Sequence, residues 1–186
     1  MPKTYHLDKT FTNLHELSKG EYEDCTFDTC NFSNSDLSGY RFINCTFENC
    51  DLSLSELRRT AFQNTKFNNS KLLGLHFENC DTFGLSFSFQ NCQLNLVSFY
   101  KLIIKKTVFS GCQLQETDFS ECDLMGSIFD DCDLAQTIFD SSNLEKVNFR
   151  TAYNYSIDPE RNRLKKARFS RLGLAGLLDK YDIEIE

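Results

Sequence analysis

The stretch Cys122-Asp123-Leu124-Met125-Gly126-Ser127-Ile128-Phe129-Asp130-Asp131-Cys132-Asp133-Leu134-Ala135-Gln136-Thr137-Ile138-Phe139 repeats itself every five residues. A large apolar residue (Leu124, Phe129, Leu134, Phe139) follows two places after a small one (Cys122, Ser127, Cys132, Thr137). Counted outward by fives, this lattice runs without a miss from Phe89 to Phe149, and a second runs from Tyr22 to Phe77. Together they hold 25 large apolar centres, which a chain that is 40% hydrophobic does not produce by chance. Thr82 interrupts them, and after it the lattice resumes at Phe89, two residues out of phase.

A period of five fits neither the 3.6 of a helix nor the 2 of a long strand. It fits a chain that turns a corner after every unit. Four units then close a square coil of about 20 residues, stacked on the next at the strand spacing of ~4.8 Å. The centre and the small residue two before it point inward, and the other three positions face solvent. The expected fold is all-β: a right-handed quadrilateral β-helix, a quasi-one-dimensional solenoid, over residues 21–150, with a two-residue slip near residues 81–88. Residues 1–20 are expected to be a lead-in and residues 151–186 a C-terminal cap with a short α-helix.

This geometry accounts for the composition. The chain has 186 residues, 18 Phe and 9 Cys but no Trp and two Pro. Its length supports one domain with a single substantial core. All nine cysteines occupy the small inward slot, where a buried thiol acts as a small hydrophobe. No Cys-x2-Cys pair supports a metal site. No apolar run resembling a signal peptide occurs in residues 1–20, so the chain reads as cytoplasmic, with reduced thiols. In this packing account Cys112→Ser is expected to cost stability by placing a hydroxyl in a dry corner. Catalytic motifs, phosphate loops and cofactor motifs are missing, and His76, beside the centre Phe77, faces outward. The expectation is a protein that is not an enzyme and holds no cofactor or metal.

Units such as Cys122-Asp123-Leu124-Met125-Gly126 and Cys132-Asp133-Leu134-Ala135-Gln136 resemble the A(D/N)LXX consensus of the pentapeptide repeat family, over roughly residues 21–150. The segment Tyr153-Asn154-Tyr155-Ser156-Ile157-Asp158-Pro159-Glu160, the run Lys166-Ala167-Arg168-Phe169-Ser170 and the tail Leu177-Leu178-Asp179-Lys180-Tyr181-Asp182-Ile183 resemble the C-terminus of one subgroup. That subgroup holds albicidin-resistance and microcin B immunity proteins and, more distantly, the Qnr quinolone-resistance proteins. The central run Phe89-Gln90-Asn91-Cys92 through Phe109 is similar to the microcin B immunity protein. The resemblance implies a homodimer joined at its C-termini, whose acidic rod imitates the DNA bound by DNA gyrase or topoisomerase IV. Such a protein modulates supercoiling or protects the enzyme from poisons of the quinolone, albicidin or microcin type.

Charge points the same way from the residues themselves. The net charge is −7, which argues against direct binding to nucleic acid or to an anionic membrane. Between Thr107 and Glu145 there is no Lys or Arg, while Glu116, Asp118, Glu121, Asp123, Asp130, Asp131, Asp133, Asp140 and Glu145 supply nine acids. Spread over about two coils, ~10 Å of axis, that density exceeds the one charge per ~1.7 Å of duplex DNA. These residues are the candidate DNA-mimicking surface. The alternative is a generic scaffold or interaction module whose surface acids serve solubility alone. In the cap, Leu172, Leu174, Leu177, Leu178 and Tyr181 fall at helical spacing. Ile183 and Ile185 alternate with acids as in an edge strand. These seven are the candidate dimer interface.

Overall fold

A computed structural model describes residues 4–184. Every strand pairing in it is parallel. One sheet stacks β1 (Thr4–Leu7), β3 (Gly20–Glu23), β5 (Arg41–Ile43) and β7 (Ala61–Gln63) in that order. The second runs the length of the rod through β2 (Thr10–Thr12), β4 (Thr26–Asp28), β6 (Thr46–Glu48), β8 (Thr65–Asn68), β9 (Phe87–Gln90), β10 (Val108–Ser110) and β11 (Ile128–Asp130). Isolated parallel bridges build the third side, as in Gln93↔Gln113 and Gln113↔Asp133, and the fourth, as in Ser98↔Asp118 and Asp118↔Ile138. The fold is a right-handed quadrilateral β-helix.

Pairing starts and ends outside residues 21–150. Within the expected lead-in, β2 pairs with β4 in a shorter first coil, and the Phe11 ring stacks on Phe27 at 5.2 Å. At the other end Asn143↔Arg163 and Asn148↔Arg168 extend the ladder, and Phe169 stacks on Phe149 at 5.3 Å. Asn154 and Pro159 break the lattice, but Leu164 and Phe169 fall back on it. Apolar rings left bare at either end of a solenoid gain by recruiting one more coil.

Phenylalanines pack in two modes. On the second side Phe27, Phe47 and Phe67 stack nearly parallel, 4.7 and 5.2 Å apart. Rings from other sides meet them edge-on, as Phe119 meets Phe109 and Phe129 at 5.7 Å each; both arrangements are favoured by the ring quadrupole. In the N-terminal half the second column of rings is Tyr22, Phe42 and Phe62 on the first side. From Phe77 onward it is Phe77, Phe99, Phe119 and Phe139 on the fourth. The changeover falls in the slipped coil, where Thr65 pairs with Phe87 and Phe67 with Phe89. There Thr82 stays exposed, Phe83 projects at 78% exposure, and Leu85 and Phe87 close the core. Phe87 occupies a small slot, within 5.2 Å of Phe77 and 5.1 Å of Phe89. The small-slot rule yields here because the missing centre leaves room for a ring.

Corners explain the polar part of the repeat. The residue two after nearly every centre is left-handed, as at Asn49 (φ 54°), Asp131 (φ 50°) and Gly126 (φ 75°); Asn79, which ends a 3-10 turn over Phe77–Asn79, and Thr151 are the exceptions. That region favours Gly, Asn and Asp. The Asp or Asn before many centres accepts the N–H of the residue after it, as Asp133 Oδ1 does from Ala135 and Asp118 Oδ1 from Ser120. This is an Asx turn.

All nine cysteines are free and buried, and the small slot is more than a matter of size. Its side chain donates to the carbonyl of the centre in the coil below. The Cys122 Sγ reaches Phe99 O at 2.8 Å, the Thr117 Oγ1 reaches Leu94 O at 2.7 Å, and the Ser142 Oγ reaches Phe119 O at 2.6 Å. The corner is dry but contains an acceptor, so a hydroxyl is satisfied there and the cost expected of a Cys-to-Ser change is corrected. Burial pushes the Cys45, Cys50 and Cys122 thiols up to about 12, far from a reactive thiolate. Cys122→Ser should therefore shift stability by less than about 1 kcal/mol, whereas Cys122→Ala should cost about 1–2 kcal/mol by emptying part of a packed corner and removing one of the two bonds to the Phe99 carbonyl, which keeps only the Leu102 N–H at 3.0 Å. Urea melts of both variants check this, and equal losses would contradict it.

Beyond Ser170 the cap forms two 3-10 helices, Leu172–Leu177 and Asp179–Tyr181, not an α-helix. Gly173 and Gly176, three apart, lie on one face of a helix with three residues per turn. A Cβ on either would collide with Tyr155, whose ring they cover. Lys180 anchors the far end on Asp158 and Glu160, at 2.7 and 2.8 Å. No edge strand forms over residues 182–184, where Asp182 is left-handed (φ 49°). Gly176→Ala is expected to unseat the cap. Amide exchange over residues 172–181 should accelerate while that of the coils stays unchanged, and unchanged exchange in the cap would refute the contact.

Candidate functional site

The nine candidate acids do not form one stripe. Asp123 and Glu145 lie on the first side, Asp130 and Asp131 on the second, Asp133 on the third with Glu116 at its end, and Asp118, Glu121 and Asp140 on the fourth, as the ladder registers place them. Four of them are ion-paired across coils. Arg161 Nε lies 2.7 Å from Asp140, Arg163 2.6 Å from Glu145, Lys105 3.0 Å from Asp123 and Lys101 3.5 Å from Glu121. The base-free interval in sequence is therefore not base-free in space, because each coil lies beside residues about twenty away.

Among the described residues, Glu116, Asp118, Asp130, Asp131 and Asp133 have no cation within ion-pair distance. Asp130, Asp131 and Asp133 gather at the corner between the second and third sides. Asp130 accepts the Thr151 hydroxyl at 2.8 Å. Asp133 accepts from Gln115 at 2.8 Å and from Asn154 at 2.8 Å. Partial burial pushes its carboxyl up, but these bonds and that from the Ala135 N–H outweigh it and hold the carboxyl below its usual range. The Asp130 and Asp133 carboxylates are thus oriented by hydrogen bonds, and Asp131 adds a third at the left-handed corner between them. Asp118 and Asp133 also close Asx turns, so part of their presence is structural.

The same columns lower in the rod carry Asp28, Glu48 and Asp51, also without an ion pair among the described residues. Reading by segment misses them, and counting by coils would have found them. Lys66 and Lys71 separate the two acidic patches. The corner between the first and second sides is basic instead: Lys106, Lys146 and Lys166 share one column, and Lys106 lies along Gly126.

The candidate dimer residues are mostly bare. Leu172 is 95% exposed, and Leu174, Leu178, Tyr181 and Ile183 are exposed as well. Leu177 instead packs in part against the core, which removes it from the outward set. Ile185 lies outside the described residues.

A square parallel solenoid with an inward ladder of large and small residues, and its chemistry confined to the outer corners, is a repeat protein of the pentapeptide type. The family model described as "Pentapeptide repeat region" matches residues 21–88 and 86–169, and the chain belongs to that family. Two trypsin-treated forms of QnrB1, a plasmid-mediated fluoroquinolone resistance protein, share the fold. Each is 20% identical with a TM-score of 0.51; the alignments cover 98% of this chain and 100% of that one, and 99% and 98%. No curated protein sequence matches the chain significantly. No helix among the described residues is long and apolar enough to cross a membrane.

Proposed function

We propose that this chain binds a type II topoisomerase, DNA gyrase or topoisomerase IV, where the enzyme holds DNA. It does so as a homodimer joined through the cap, and it modulates supercoiling or protects the enzyme from gyrase poisons. The observation that carries this reading is the corner of Asp130, Asp131 and Asp133, three carboxylates without an ion pair on a convex rod, two of them oriented by hydrogen bonds, which fits a basic groove that accepts a phosphate backbone. The fluoroquinolone-resistance role of QnrB1, which shares the fold, is consistent with such a partner.

Only part of the rod imitates DNA. The paired acids Glu121, Asp123, Asp140 and Glu145 are screened by their partners, and the first side carries bases, so the rod docks in one rotational setting. A supercoiling assay at micromolar protein, with and without a gyrase poison, tests the proposal. Inhibition, or relief of poisoning, is expected at low salt and should weaken as salt rises. Supercoiling untouched in both assays, together with capture of a different stable partner, would favour the scaffold reading.

A further inference from the structure

Diagonally across the rod from Asp130–Asp133, on the corner between the fourth and first sides, the surface is concave. Lys19, Ser38, Gly39, Arg58 and Arg59 line a recess of about 530 Å³. Lys19, Gly39 and Arg59 stand in one column of corners, two after Leu17, Leu37 and Leu57, and the last two are left-handed (φ 72° and 56°). Gly39 (φ 72°) opens the space: the Lys19 Cε and Nζ lie 3.4 Å from where a Cβ on it would stand. Arg58 and Arg59 close the next coil, and Gly39 N–H donates to the Arg58 carbonyl at 2.9 Å.

Three basic side chains thus line one hollow, largely with their apolar stems, and none of them makes an ion pair among the described residues. Asp36 is the nearest acid on the fourth side. Its carboxylate accepts the Ser38 N–H at 2.9 Å, and its bonding to Ser38, with smaller help from Lys19 and Arg58, holds it below the usual carboxylate range, although neither cation closes to ion-pair distance. Elsewhere on the rod, as at Arg161 and Asp140, comparable bases are neutralised by the neighbouring coil. Three bases share this hollow on a chain of net −7, and the local excess of positive charge is one that solubility does not require.

We infer that this recess is an anion site for a small phosphorylated ligand bearing at least two negative charges, a diphosphate or triphosphate. The two guanidinium forks offer bidentate bonds to phosphate oxygens, and the Lys19 ammonium adds a point charge. The hollow is shallow and open to solvent, with room for more than one phosphate group. The inference rests on this hollow alone and is independent of the topoisomerase reading. The acidic corner lies on the opposite side, so both can be occupied at once.

Calorimetric titration with inorganic pyrophosphate at low ionic strength tests it on the full chain. Saturable binding is expected, and the double variant R58Q/R59N should weaken it at least tenfold. Asn is chosen because it tolerates the left-handed backbone at position 59 (φ 56°), and an unchanged thermal midpoint confirms the fold. K146Q/K166Q, on the convex basic corner, should leave the titration unchanged. Lack of heat at 10 mM pyrophosphate, no effect of R58Q/R59N, or an equal loss in K146Q/K166Q would each overturn the site.

Discussion

Phe119→Ala should lower stability by about 3–5 kcal/mol, the largest single-residue loss expected in the molecule. The side chain is fully buried, stacked 4.9 Å above Phe99 and 5.3 Å below Phe139, with Phe109 and Phe129 edge-on. Removing the ring forfeits roughly 2–3 kcal/mol of burial. It also leaves a void that the rigid coils above and below cannot close, because each is tied to the next through the ladder bonds Phe119 N to Ile138 O and Asp118 N to Val97 O. In a solenoid such a gap severs nearest-neighbour contacts on both sides. Urea denaturation should show an early transition or a sharply lowered midpoint, and an unchanged midpoint would refute the stacked column.

The same column shows why the fold could be read from the sequence. A five-residue lattice forces every centre inward, and positions 99, 109, 119, 129 and 139 are legible without any three-dimensional information. Ladder partners about twenty residues apart are not visible along the chain. For that reason the pairing of Asp140 with Arg161 and of Glu145 with Arg163 was hidden, and the nine acids looked like one continuous surface. The cysteines could be placed, but their donor role could not, because the acceptor is a carbonyl 23 residues earlier. In the cap, the apolar spacing of Leu174, Leu177 and Leu178 suits an α-helix. The close approach of Gly173 and Gly176 to Tyr155 selects the tighter 3-10 form.

The second large effect concerns function. The triple variant D130N/D131N/D133N should lose at least tenfold in topoisomerase binding while melting as the native protein does. Amides are the right replacement. Asn143 and Asn148 already close the same turns with their side-chain oxygens, so Asn at 133 keeps the bond to the Ala135 N–H, and Asn at 131 accepts the left-handed corner. Besides the charge, the change at 133 gives up the Oδ2 that accepts from the Gln115 amide, so D130N/D131N, which keeps that bond, is measured alongside the triple variant. Charge reversal would confound the result by breaking the Asx turn at Asp133. Neutralising the already paired Asp140 and Glu145 in the same way should change binding far less, and an equal loss there would show that total charge, not the corner, is recognised.

The most direct measurement is displacement of a fluorescent DNA duplex from purified DNA gyrase or topoisomerase IV by the native protein at low and at moderate salt. Competitive displacement at micromolar protein is expected, weakening several-fold as the salt rises and abolished in the Asp-to-Asn triple variant. A duplex that stays bound to both enzymes at every protein concentration, or displacement equally strong with the triple variant, would contradict the proposal that the acidic corner takes the place of DNA.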